Sequence, residues 1–377
     1  MDFEYTEEQR LLAETLRKFL NTGYTFDART KITTSAPGYS EDVWAALAEM
    51  GILSVPFAAE HGGFGGNTTD MMVVMEALGE ALVVEPYLAT VGLGGQFVAR
   101  GGSKEQQGRI LPALIQGKLK MAFAHTPAGG RYDLTQLGAR ARTSGDGYTL
   151  EGDLRMVLHG ASADLLVVAA RTSEEDGDTR GISLFLVERG AKGVGVKEYR
   201  TLDNFRVADI TLSGVTVGRD ALVGAEGRGH ALMEEVVDYA TALVCAEAVG
   251  AIKHAHDATL DYLKTRRQFG VPIGTFQALQ HRMVDILISY EQAKSIATLA
   301  CVKVDSAEAT ERARVVSAAK IKIADACRHV SQEAVQLHGG MGMTEELKVS
   351  HTFRRLTAIA SLFGDADHHL ERFAKIG

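Results

Sequence analysis

Cysteine is scarce in this 377-residue chain: Cys245, Cys301 and Cys327, far apart. That excludes a disulfide framework and a cysteine-based zinc site, and it suits a reducing, cytoplasmic setting. Proline is also scarce, at six residues, which favours long uninterrupted helices. No apolar run approaches the roughly 20 residues of a membrane-spanning helix, so no membrane insertion is expected. Positive charge is in deficit, 40 Lys and Arg against 48 Asp and Glu, for a net charge of −8. With no basic block, nucleic acid and anionic membranes are poor partners. The stretch MDFEYTEEQR is acidic and polar and is not expected to act as a secretory signal.

What is present is a globular composition, 46% hydrophobic and 23% charged, with length for two or three domains. Residues 1–117 read as helical. Over 7–20, Leu11, Leu12, Leu16, Phe19 and Leu20 share one stripe. Ser40 caps a helix over 42–50 that stops at Gly51, and Thr69 caps another that runs through Leu78. From 118 to 222, two-residue alternation and turn signals take over. Strands are expected at 120–124, 138–142, 148–151, 165–170, 181–187 and 208–212, with Ser144-Gly145-Asp146-Gly147 as a hairpin turn. Such a run of short strands suggests a small barrel or sandwich. Over 223–377 the helical period returns, at 231–263, 275–304, 307–337 and 344–359. The expected fold is therefore a helical domain, a β-barrel-like middle domain and an antiparallel four-helix bundle.

Several motifs lie at the junctions of these segments. Gly224-Ala225-Glu226-Gly227-Arg228-Gly229 marks the β-to-α boundary. Arg266-Arg267-Gln268-Phe269-Gly270 ends one bundle helix, and Phe276-Gln277-Ala278 opens the next. Gln336-Leu337-His338-Gly339-Gly340-Met341-Gly342 ends a third, and Glu60-His61-Gly62-Gly63 follows Pro56 in the first domain. In this order and spacing the chain resembles the acyl-CoA dehydrogenase family over essentially its whole length. Arg131-Tyr132-Asp133-Leu134, Val157-Leu158-His159-Gly160 and the segment from Phe363 to His369 look like the bacterial branch typified by the pimeloyl-CoA dehydrogenase small subunit. The resemblance implies FAD, an acyl-CoA substrate oxidised to the trans-2-enoyl-CoA, and an electron-transfer flavoprotein or similar acceptor. It also implies a homodimer, a homotetramer, or a heterotetramer with a second such chain. The associated role is fatty acid or lipid catabolism by β-oxidation.

Arg266 can grip a pyrophosphate through paired hydrogen bonds, and the resemblance sets Arg266, Gln268 and Phe269 against the FAD of a partner subunit. Gln277 would support the adenine end. Gln336, Gly339 and Gly340 suit a close backbone approach to the cofactor. The flavin-ring segments depart from the family pattern. Thr126 keeps the expected hydroxyl, but Pro127 stands where a glutamate is usual. Val157 and Leu158 occupy the second segment, where Leu158 offers no side-chain donor. His159 and Ser162 are nearby polar groups.

Both familiar positions of the catalytic base are vacant. The segment Ser361-Leu362-Phe363-Gly364-Asp365 contains no glutamate, and the alternative position on the first bundle helix reads Tyr239 or Ala240, with Thr241 in place of an arginine. Glu247 is the one charge in the run 241–252 and shares a helical face with Ala240. It is the expected base, its pKa raised by burial, with Asp365 as runner-up. A cation within the bundle that pairs with Glu247 would give it a structural role instead. The competing expectation is a non-catalytic or half-site subunit of a heteromeric complex; a flavin oxidase of related fold is a further one. Small residues at Ala240, Thr241 and Ala242 suggest a roomy acyl site.

Overall fold

The computed structural model describes residues 5–173, 178–306 and 308–376. Ala307, expected to start the third bundle helix, lies outside the described residues, as do 1–4 and 377 at the outer ends of the expected domains. The chain forms two compact units. One comprises Met1–Lys31, Thr68–Val83 and Thr241–Gly377, and the other Ile32–Asn67 and Val84–Ala240. Among the described residues no helix is long and apolar enough to cross a membrane.

The helical unit holds α1 (Glu7–Gly23), most of α2 (Phe26–Thr34), and α4 (Thr68–Ala81). It continues with the larger part of α7 (Gly229–Thr265), then α8 (Gln277–Lys303), α9 (Ala309–His338), α10 (Lys348–Ser361) and α11 (Ala366–Ile376). Thr6 and Gln9 close a reciprocal capping box that starts α1. Its buried stripe is Gln9, Ala13, Leu16 and Leu20; Leu11 points outward, 65% exposed, because it lies off that 3–4 spacing. The helix α4 already includes Thr68, so Thr69 lies in its first turn rather than capping it. Every residue of α4 from Met71 to Gly79 is buried, as in a helix packed on all sides. Where α4 meets α7, a Cβ added to Gly79 would stand 2.0 Å from the Glu247 carbonyl oxygen, and one added to Gly250 would stand 1.9 Å from that of Glu76. The two backbones therefore touch. The helix α11 has no counterpart among the expected elements.

The other unit contains α3 (Glu41–Glu49), α5 (Gly95–Gly101) and α6 (Lys104–Ile115). The Ser40 hydroxyl accepts from Val43 N at the start of α3, as expected of an N-cap. Its strands are β1 (Met121–Ala124), β2 (Ala139–Ser144), β3 (Gly147–Leu158), β4 (Leu165–Arg171), β5 (Ile182–Glu188), β6 (Val194–Arg200), β7 (Arg206–Gly218) and β8 (Leu222–Val223). They form one sheet in the order β6-β7-β3-β2-β4-β5-β8, with β1 parallel to β4. Ser144 pairs with Gly147, so Gly145 and Asp146 form the hairpin turn. Alternate residues of six strands, among them Ala122, Ala141, Leu150, Val168, Phe185 and Ile210, meet in one core. A single sheet packs one face on itself, the barrel-like arrangement expected of the middle segment.

Candidate functional site

In the β unit, β1 delivers the chain to Thr126. Arg155 N donates to the Thr126 carbonyl oxygen at 2.8 Å, which draws the end of β3 alongside. The Thr126 hydroxyl lies 3.2 Å from a ring nitrogen of His125. His125 stacks on Phe123 with centroids 4.7 Å apart, and burial holds its imidazole down to about 4, so it is neutral near pH 7. Toward its end β3 bulges against β7 between Leu154 and Val157. Met156 and His159, on either side of Val157 and Leu158, have φ of +53° and +52°. Non-glycine residues in that region are strained by about 1–3 kcal/mol each and persist where surrounding structure enforces them, often at functional sites. Val157 is buried and Leu158 half-buried, and both pair with β7 through Ala208 and Val207. The sheet thus brings Thr126, Val157 and Leu158 together. His159 is buried with its ring edge toward Phe205.

A second group lies at one end of the helical bundle. After α7, the strands β9 (Arg267–Gln268) and β10 (Val271–Pro272) form a hairpin. Phe269 and Gly270 are its two turn residues, at φ +54° and +82°, the signs of a type I′ turn. Phe269 is 90% exposed at the tip and meets Phe276, just before Gln277 opens α8, at 6.1 Å. Arg266, Gln268 and Gln277 are exposed. Tyr262, one turn before Arg266, stacks on His338 at 4.4 Å. That contact brings the end of α9, with Gln336, Gly339 and Gly340, to the same end of the bundle. Gly339 has φ +62°, and a Cβ on either glycine would meet nothing within 4 Å. Packing within the chain therefore does not require glycine at 340, whereas a closely approaching ligand would.

Glu247 lies elsewhere on α7. Nineteen residues separate it from Arg266, about 28 Å along a helix. Its carboxylate is gripped from α10 by Arg355: Nε donates to Oε1 at 2.6 Å and Nη2 to Oε2 at 2.8 Å. Their side chains are only 6% and 3% exposed. The lone charge of the apolar run thus has a buried cationic partner, held by a forked pair of charge-assisted hydrogen bonds. Asp365 does different work. Its Oδ1 accepts from His368 N at 2.9 Å, which caps α11. Lys320 of α9, fully buried, donates to the carbonyl oxygens of Ala360 and Gly364. Burial lowers the pKa of Lys320. Ala240, Thr241 and Ala242 are all buried.

Arg355, Lys320 and Tyr262 were not singled out by pattern, and His338 only as a member of its glycine-rich motif. Arg355 carried one signal: it sits on the buried stripe of α10, with Thr352, Leu356 and Ile359, where an arginine needs a partner.

Comparison with known proteins places three family models end to end on the chain. They are the acyl-CoA dehydrogenase N-terminal domain over residues 6–118, the middle domain over 122–215 and the C-terminal domain over 227–376. The short-chain specific acyl-CoA dehydrogenase of Clostridium acetobutylicum is 28% identical over 94% of this chain and 93% of its own. Among solved structures, the ChsE4-ChsE5 complex from Mycobacterium tuberculosis aligns with TM-score 0.90 at 27% identity over 100% of this chain and 98% of that one. The FAD complex of PigA aligns with TM-score 0.92 at 26% identity over 100% and 98%.

Proposed function

Because this chain belongs to the acyl-CoA dehydrogenase family, we propose that Glu247 is the base that removes the α-proton of an acyl-CoA thioester, yielding the trans-2-enoyl-CoA. The enzyme is an FAD-dependent oxidoreductase. FAD, when bound, accepts the hydride from the β-carbon. The residues present fit that cofactor. Gly339 and Gly340 leave open the space that a side chain would fill. Following the family pattern, Arg266, Gln268 and Phe269 would contact the FAD of a partner subunit and Gln277 its adenine end, and Gln336 precedes the two glycines on α9. Within the β unit taken by itself, Thr126, Val157 and Leu158 are the residues that would contact a flavin ring. Arg266 suits the pyrophosphate, since a guanidinium matches paired phosphate oxygens.

The observation that carries this reading is that Glu247 is the one charge in the apolar run 241–252; its buried pairing with Arg355 also meets the condition stated above for a structural role, and the variants below decide between the two. A carboxylate offers about four lone-pair directions; Arg355 occupies two, and the others can accept a proton. Asp365, its Oδ1 occupied as a helix cap, is the weaker candidate. The enzyme alone should purify yellow and bleach on anaerobic addition of its acyl-CoA thioester. Glu247→Gln should keep the colour and lose the bleaching, because the amide cannot take the proton. Unchanged bleaching in that variant removes Glu247 from the mechanism.

A second reading rests on the segment Leu362-Phe363-Gly364, where the usual glutamate is missing, and on the likeness to a complex of two named chains. In it this chain is a half-site subunit of a heteromer, and colourless protein that gains FAD only with a partner chain supports it. The exposed hairpin tip, together with Val284, Leu287 and Ile288 on one face of α8, supports assembly with another subunit in either reading. An electron-transfer flavoprotein is the expected acceptor, and the cytoplasm the expected location.

A further inference from the structure

We infer that Arg355 is a positioning residue for proton abstraction: it fixes the plane of the Glu247 carboxylate, so that one oxygen lone pair is presented to the thioester. The inference rests on the reading of Glu247 as the base. Glu247 is constrained from two directions. From α4, the backbone at Gly79 presses on the Glu247 carbonyl, close enough that a Cβ there would stand 2.0 Å from its oxygen. That contact fixes the main chain and leaves the side-chain torsions free. From α10, the Arg355 fork bonds both carboxylate oxygens, at 2.6 and 2.8 Å. A planar guanidinium with two parallel N–H bonds sets the tilt and rotation of the carboxylate as well as its distance, which a point charge cannot do.

Among the described residues, two nearby cations bond elsewhere. Lys320 of α9 directs its ammonium to the carbonyl oxygens of Ala360 and Gly364. Arg354, next along α10, donates instead to the exposed Glu345 at 2.8 Å. Among the described residues, the Cys327 thiol of α9 also interacts with Arg355, Glu247, Lys320 and Cys245. Burial pushes the thiols of Cys245 and Cys327 up to about 12, so both are neutral. From α4 the nearest carboxylates are committed elsewhere, Glu76 to the Tyr5 hydroxyl and Glu80 to Arg17 and Lys253.

Arg355→Lys tests orientation with the charge retained. In the FAD-loaded protein, the limiting rate of bleaching by an acyl-CoA should fall about 10²-fold, the scale of a small misplacement of a reacting group. The thioester concentration giving half-maximal rate, the FAD content and the thermal midpoint should stay close to the parent. Arg355→Ala should lose more, and added guanidinium ion should restore part of the rate. Arg354→Lys is the control and should match the parent. A parental limiting rate in Arg355→Lys overturns the inference. So does an Arg355→Ala protein in which guanidinium restores the thermal midpoint but not the rate, since the arginine then only supports the fold. Glu247→Gln separates the two readings: if it bleaches at the parental rate, the base assignment itself fails, whatever the arginine variants do.

Discussion

Gly340 shows how one residue can report on a ligand. It does not have the positive φ that favours glycine, it is exposed, and a Cβ there would meet nothing within 4 Å. Gly340→Leu should therefore change the stability of the FAD-free protein by no more than about 0.5 kcal/mol, the usual range for such surface sites. It should nevertheless lower the FAD content of the purified protein several-fold, read from the 450 nm to 280 nm absorbance ratio. Full FAD content in that variant would place the cofactor elsewhere. Gly339 and Gly340 were legible because a Gly-Gly pair ending a long helix is a local pattern. Glu247 was legible for a similar reason, as the one charge in an apolar run. Its partner was not: Arg355 lies 108 residues away, and no local period links the two. The occupancy of Asp365 as a cap was equally hidden, because the helix that it starts opens with Ala366, Asp367, His368 and His369, which read as a polar loop.

The crossing of α4 and α7 decides how rigidly the element that bears Glu247 is held. At Gly250 an added Cβ would stand 1.9 Å from the Glu76 carbonyl oxygen and 2.8 Å from Glu80 N. Both are backbone atoms, so neither can rotate away. Alanine would gain about 1 kcal/mol of helix propensity over glycine. Overpacking of this kind costs about 1–3 kcal/mol and more where backbone must move. Gly250→Ala should thus be net destabilising, with a lower thermal midpoint and slower bleaching, since α7 must shift away from α4. An unchanged midpoint would mean that the crossing is looser than drawn. The long helices were readable from apolar period alone, because three to ten turns give the pattern room to repeat. The edge strand β6 was not. Its residues are mostly exposed and it pairs only with β7, so no buried face imposes alternation on its sequence.

At the scale of the whole molecule, three segments could be separated in the sequence by their change of period, and the family models fall on three matching stretches. Exposure was less legible: that Phe269 stands 90% exposed at a hairpin tip follows from a turn geometry that composition does not show. Burial also sets how the molecule responds to acid. It holds His125 down to about 4, and His254 and His369 down to about 3. Each is neutral in the folded chain near pH 5, whereas an unfolded histidine takes up a proton near pH 6.5. Between about pH 6.5 and 4 the unfolded state therefore binds more protons, and stability falls as pH falls. Below about pH 3 the folded histidines protonate as well, and this contribution levels off. Urea unfolding of the FAD-loaded protein should show a midpoint that declines from pH 6.5 to 4.5, with an uptake approaching three protons from these groups. His254→Asn, in which the amide can still meet the Thr352 hydroxyl now 2.9 Å from the ring, should flatten that slope by close to one proton. A slope equal to the parent's would show that His254 is already charged in the folded state. Carboxylates such as Glu41 and Asp257, whose pKa values are lowered by partners including Lys120 and Lys253, add to the same trend only at lower pH. Burial raises the pKa of the Glu76 carboxyl, which opposes the trend, and lowers those of His338, His351 and His368, which add to it, so the difference between parent and His254→Asn isolates one histidine.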